Sequence, residues 1–214
     1  IICIPVFNIF GYLIQTREFP DGRDLNRMFP GSATGSLASQ FAYQFTQKIA
    51  PFVDYIIDFH TGGGERDNIS QIRCVETDEK ALELAKVFNP PTIVYSNNIA
   101  KSLRYTCNKM GKTILLFEGG KSKELNPTVI NEGVNGTKNV LIHLGLIDGI
   151  DNANSITAAC SFKTTTPGPA GPLSVEAYLR MEADRAGGRF RITTRAKHPK
   201  IAEAITLILE NQLK

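Results

Sequence analysis

Hydrophobic positions along this chain follow two spacings. Ile1 to Phe7, Val53 to Phe59, Ile69 to Val75, Thr92 to Tyr95 and Thr113 to Phe117 are short apolar runs rich in β-branched and aromatic residues. Runs of that length predict strands, and the first, second and last read as strands buried on both faces. Elsewhere the apolar residues recur every three or four positions. Leu37, Phe41, Phe45 and Ile49 form a helical stripe behind Ser36, a residue type that caps helix N-termini, and Pro51 ends it. Ala81, Leu84, Ala85 and Phe88 form a second stripe behind Asp78, broken by Asn89-Pro90-Pro91. Asn98 to Met110 predicts a third helix. Asn126-Pro127 joins a cap to a proline at the first helical position, and Ile130, Val134, Thr137, Leu141 and Leu144 follow as a stripe that Gly145 closes.

Strands alternating with helices predict an α/β fold, a mostly parallel sheet flanked by helices. The turn-rich segment from Asn8 to Gly35 predicts a long loop. Residues 1–150 make up this domain. After Asp151 the composition shifts: Thr164 to Pro172 reads as a linker, and residues 151–214 as that linker plus a small C-terminal unit. Within that appendage Gly187-Gly188 predicts a turn, Arg189 to Thr194 a strand and Lys200 to Gln212 a helix.

Composition narrows the classes of function. With 214 residues, 42% hydrophobic and 21% charged, one substantial core is expected. Lys plus Arg number 24 against 21 Asp plus Glu, with no basic run, so nucleic acid is not an expected partner. No apolar stretch approaches the roughly 20 residues of a membrane helix. The opening run lacks the basic start and small-residue cleavage site of a signal peptide. Cys3, Cys74, Cys107 and Cys160 are scattered, which predicts reduced thiols in a cytoplasmic protein. Residue 1 already lies inside an apolar run without an initiator methionine, which predicts a natural start further upstream.

The candidate chemistry lies at strand ends. His60 and Glu118 each follow an apolar run and precede glycines, the place where open α/β sheets put their ligand sites. A histidine can ligate zinc, and a carboxylate beside it can take a proton from water. Arginines in the loop Asp21 to Gly31 could clamp a substrate carboxylate. Each signal has an ordinary structural counterpart: a satisfied core histidine, or a solvated salt-bridge cluster. Their convergence on one edge of the sheet favours a metal-dependent hydrolase.

Particular motifs go further. Pro20-Asp21-Gly22-Arg23-Asp24-Leu25-Asn26-Arg27-Met28-Phe29-Pro30-Gly31, Thr34 to Ser39, Asp58-Phe59-His60-Thr61-Gly62 and Phe117-Glu118-Gly119-Gly120 resemble the succinylglutamate desuccinylase/aspartoacylase family, zinc-dependent deacylases related to the zinc carboxypeptidases. The resemblance runs from Ile1 to about Gly149. It implies a zinc-carboxypeptidase-like fold, a Zn2+ cofactor and a small N-acyl amino acid-like substrate. It also implies roles: His60 as a zinc ligand, Glu118 as the general acid/base, Arg17 as the group that polarises the scissile carbonyl, and Asn26, Arg27 and Arg104 as substrate-binding residues. Asp58 is expected to orient His60. The family draws two further zinc ligands from a His-Gly-x-Glu motif upstream of the strand at Ile1 to Phe7, and that motif is absent from this sequence. Three readings therefore stand: a zinc-dependent deacylase, a carboxylate-binding module of the same fold without catalysis, and a zinc carboxypeptidase.

Overall fold

The computed structural model describes residues 1–64 and 66–150, and the backbone of Cys160–Lys163, Glu182–Ala183 and Phe190–Arg191. The chain forms two compact units, Ile1–Thr164 and Thr165–Lys214. In the first, α1 (Ile9–Ile14), α2 (Leu37–Lys48), β1 (Tyr55–Gly62), β2 (Asn68–Cys74), α3 (Glu79–Phe88), β3 (Thr92–Tyr95), α4 (Leu103–Lys109), β4 (Thr113–Lys121), α5 (Pro127–His143) and β5 (Cys160–Lys163) follow one another, with 3-10 turns at Leu25–Arg27 and Ala50–Phe52. In the second, β6 (Glu182–Ala183) pairs antiparallel with β7 (Phe190–Arg191). The expected linker from Thr164, the turn at Gly187-Gly188 and the helix Lys200 to Gln212 lie outside the described residues.

The five-stranded sheet has the order β1-β4-β2-β3-β5. β1 with β4, β2 with β3 and β3 with β5 run parallel, and β2 with β4 antiparallel, so the sheet is mixed and mostly parallel, as expected. Alternation along β4 shows how it is covered. Leu115 and Phe117 enter a core with Leu84 and Phe88 of α3 and Val140 of α5, while Ile114 enters another with Phe45 of α2, Leu103 of α4 and Phe19, Leu25 and Phe29 of the preceding segment. Successive strand residues face opposite sides, so one buried strand serves both layers.

The helices start where the caps predict. Ser36 accepts a hydrogen bond from the Ser39 amide, Asp78 from that of Ala81, and Asn126 from those of Thr128 and Val129. α4 is shorter than the sequence suggests, beginning behind Ser102.

Four expectations are corrected. Ile1 to Phe7 is not a buried strand: Ile1 and Ile2 are 83% and 56% exposed, and the run pairs with no strand among the described residues. An apolar run becomes a strand only where a partner satisfies its amides and carbonyls, and Pro5 has no amide to offer. The segment Asn8 to Gly35 is not all loop, since α1 forms behind Asn8, whose side chain accepts from the Gly11 amide. β1 is half-exposed rather than buried, because it ends the sheet and Phe59 is 53% exposed there. In α5 the stripe carrying Ile130 and Val134 faces outward, and Gly133, Gly136 and Val140 are the buried positions. The helix approaches α3 so closely that a Cβ at Gly136 would collide with the Phe88 ring. Here small size, not bulk, marks the buried face.

Candidate active site

The site begins with register. Parallel pairing of β1 and β4 sets Asp58 beside Leu116 and His60 beside Glu118. Residues opposite one another share a face, so His60, Asp58 and Glu118 all lie on the side covered by α2, α4 and the segment before α2. His60 and Glu118 lie inside their strands rather than just beyond them, near the C-terminal ends.

Asp58 and His60, two residues apart on one strand face, meet directly. Asp58 Oδ2 lies 2.9 Å from His60 Nε2. Burial lowers the imidazole's affinity for a proton, but the hydrogen bond and charge of Asp58, with the charge of Glu118, outweigh that and hold its pKa above the ordinary value, while Arg17 opposes them. A carboxylate on one ring nitrogen fixes ring orientation and leaves Nδ1 as the ligating atom, the arrangement that supports a metal-bound histidine. His60 thus fits one corner of a zinc site. Among the described residues no three His, Cys, Asp or Glu side chains form a group able to hold a metal ion.

Glu118 turns toward β2. Asn68 Nδ2 donates to its Oε1 at 2.7 Å, and Arg73 Nε stands 2.7 Å from Oε2 as an ion pair too oblique for a hydrogen bond. Neither Asn68 nor Arg73 is legible as a site residue from local motifs. The only signal is that Gln71 pairs with Glu118, which puts Arg73 on the same face two residues on.

The opposite wall is the segment Arg17 to Phe29, held by a division of labour along the chain. Phe19, Leu25 and Phe29 are buried anchors, and the polar residues between them bond the backbone. Asp24 Oδ1 accepts from the Asn26 amide, while its Oδ2 takes Arg17 Nε and Nη2, each at 3.0 Å. Asp24 therefore aims Arg17, a role the sequence did not disclose. Asn26 Oδ1 accepts from the Leu103 amide at 2.8 Å, which caps nothing locally but fixes the side-chain amide so that Nδ2 is its remaining donor. Phe29 N donates to Lys101 O, tying the same loop to the start of α4.

A cleft of about 930 Å³ opens along β1, lined by Arg17, Asp24, Asn26, Asp58 and His60 and, from α5, by Gly133 and Val134. Its lining is mostly apolar, with Phe7, Phe59 and Val134 beside the polar groups, the usual character of a small-molecule site. Of the expected residues, the structure brings His60, Arg17 and Asn26 to this cleft. Glu118, Arg27 and Arg104 do not line it. Arg27 Nη1 folds back onto Asn26 O at 2.7 Å. Arg104 is 6% exposed and gives Nη2 to Ser96 O and Oγ and to Asn97 O, and burial, with Arg73 nearby, pushes its pKa down.

Residues 1–144 match the family described as the succinylglutamate desuccinylase/aspartoacylase catalytic domain. The N-alpha-acetyl-L-2,4-diaminobutyric acid deacetylase of Halomonas elongata is 31% identical over 157 residues, covering 70% of this chain and 46% of that protein. The product-bound structure of the ectoine utilization protein EutE (DoeB) from Ruegeria pomeroyi superposes with a TM-score of 0.69 at 26% identity, over 76% of this chain and 51% of that one. A succinylglutamate desuccinylase/aspartoacylase structure from Rhodobacter sphaeroides gives a TM-score of 0.65 at 27% identity, over 75% and 50%. The chain thus spans about half the length of the relatives it matches.

Proposed function

The chain belongs to the succinylglutamate desuccinylase/aspartoacylase family, and on that premise we propose that it carries active-site residues of a deacylase cleaving the amide bond of a small N-acylated amino acid. One observation carries this reading: His60, with Glu118 beside it in register, lines the same cleft as Arg17 and Asn26. Arg17, aimed by Asp24, and Asn26, with its free Nδ2 donor, present hydrogen-bond donors where a carbonyl or carboxylate oxygen would sit. Donors fixed before the substrate arrives stabilise developing negative charge at little reorganisation cost. Glu118 removes a proton from water and delivers it to the leaving amine. Arg27 and Arg104, outside the lining, add positive charge at longer range. Zinc suits His60 Nδ1, and when bound it supplies Lewis acidity to the carbonyl and to water. Buried Cys74 and Cys107, both free thiols, suit a cytoplasmic enzyme. No helix among the described residues is long and apolar enough to cross a membrane.

The test is release of acetate or succinate from N-acetyl-L-2,4-diaminobutyrate, N-acetyl-L-aspartate and N-succinyl-L-glutamate, with and without added zinc. Glu118→Gln is expected to lower kcat by at least about a hundredfold while leaving zinc content unchanged. Full activity in that variant would remove Glu118 from the chemistry. Calorimetric binding of these compounds that a chelator does not disturb, with no release of acid, would make the protein a carboxylate-binding module instead.

A further inference from the structure

The contacts of Glu118 on its β2 side suggest a function of their own. Gln71 pairs with Glu118 and Asn68 with Gly120, so three residue steps on β2 span two on β4. The extra residue is a β-bulge, and its consequence follows from strand parity. In a regular strand Asn68 and Gln71, three apart, would face opposite sides of the sheet. The bulge turns Asn68 onto the face of Glu118, where it reaches Oε1, while Arg73, in normal alternation with Gln71, reaches Oε2. Two side chains from one strand thus grip both oxygens of a single carboxylate. Each carboxylate oxygen has two accepting directions, so the grip stops rotation and still leaves an acceptor on each oxygen.

An ordinary cross-strand ion pair would not need this construction. The Glu118 side chain is 17% exposed and that of Arg73 35%, a setting in which such a pair adds little to stability. Irregular pairing forfeits ladder hydrogen bonds, and bulges of this kind recur beside active sites because they re-aim a side chain.

We propose that Arg73 and Asn68 form a positioning clamp that holds the Glu118 carboxylate in its working orientation beside His60, Arg73 by charge and Asn68 by a directed hydrogen bond. Arg73 is a positioning residue, acting through Glu118 and not on substrate. The proposal rests on the deacylase reading, and the experiment separates the two. The wild type, Arg73→Gln, Arg73→Lys, Asn68→Ala and Glu118→Gln proteins are compared for kcat and KM on N-acetyl-L-2,4-diaminobutyrate, with thermal unfolding recorded for each.

The clamp predicts that Arg73→Gln lowers kcat about thirtyfold or more with KM changed less than about twofold, and that Arg73→Lys, which keeps the charge, recovers most of the loss. Asn68→Ala lowers kcat about tenfold, again without moving KM. A rise in KM at constant kcat in Arg73→Gln would make Arg73 a substrate contact and overturn the clamp. Unchanged kcat in Arg73→Gln and Asn68→Ala beside an inactive Glu118→Gln would overturn it while the deacylase reading stands. An active Glu118→Gln would overturn the deacylase reading itself. Should Arg73→Gln not fold, Asn68→Ala decides alone on the same criterion. If this compound is not turned over, the Asn68 side-chain amide protons serve as the readout. Their exchange with water is expected to be slow in the wild type and fast in Glu118→Gln and Arg73→Gln, and equal rates in all three would overturn the clamp.

Discussion

Ile1 to Val6 and Thr113 to Phe117 are nearly interchangeable as strings of apolar, β-branched residues, yet they meet opposite fates. The second lies between two strands and feeds two cores, with Ile114, Leu115 and Phe117 all but inaccessible. The first stays exposed on one side of the cleft. Hydrophobicity sets what a segment would gain by burial, but a strand also needs a neighbouring edge in register. β1 teaches the same lesson in milder form, half-exposed where the sheet ends.

Substitution in the two runs should expose the difference most strongly. Leu115→Ala leaves a cavity where both a sheet and a helix layer meet, and an unfolding free energy lower by about 2–5 kcal/mol is expected from urea titration. A loss under about 1 kcal/mol would mean that β4 is not the central support drawn above. A pH series tests the comparison through the cysteines. Burial pushes the Cys74 thiol up to about 11 and the Cys107 thiol up to about 12, whereas Cys3 sits in the exposed run. A raised folded-state value favours the neutral thiol in the native state, so this contribution is whole below the unfolded value near 9 and is lost as pH rises toward about 11. Stability should fall by at most about 1.4 kcal/mol per pH unit per thiol across that window. Cys107→Ala should flatten the slope, as measured by urea unfolding at successive pH values. The smallest effect is expected from Ile2→Ser with Ile4→Ser, within about 0.5 kcal/mol of the parent. A loss of several kcal/mol would show that the run is buried in solution after all.

Much of the frame was readable because local signals and tertiary needs agreed. Ser36, Asp78 and Asn126 begin helices where their side chains can accept backbone hydrogens, and Thr92 to Tyr95 has the predicted bounds. His60 and Glu118 could be picked out because a polar residue ending an apolar run is conspicuous. What escaped depended on distant partners. Gly136 is buried because Phe88 is there, Arg104 turns inward because Ser96 and Asn97 offer it three acceptors, and Asn68 reaches Glu118 only through a shift in pairing that leaves no mark in composition. The same holds for Asp24, whose turn-forming role is local and whose grip on Arg17 is not.

The bond from the Leu103 amide to Asn26 joins residues 77 positions apart, and the Phe29 amide reaches Lys101 beside it. The cleft-lining loop therefore completes its bonds only once sequence 77 positions away is in place. Its anchoring carbonyl and amide partners do not exist in place until the chain has closed a long excursion through three strands and two helices, and closures of that length are slow. The geometry at Asn26 thus serves as a checkpoint on the order of assembly: an accurate binding wall certifies that everything between it and α4 has already found its place.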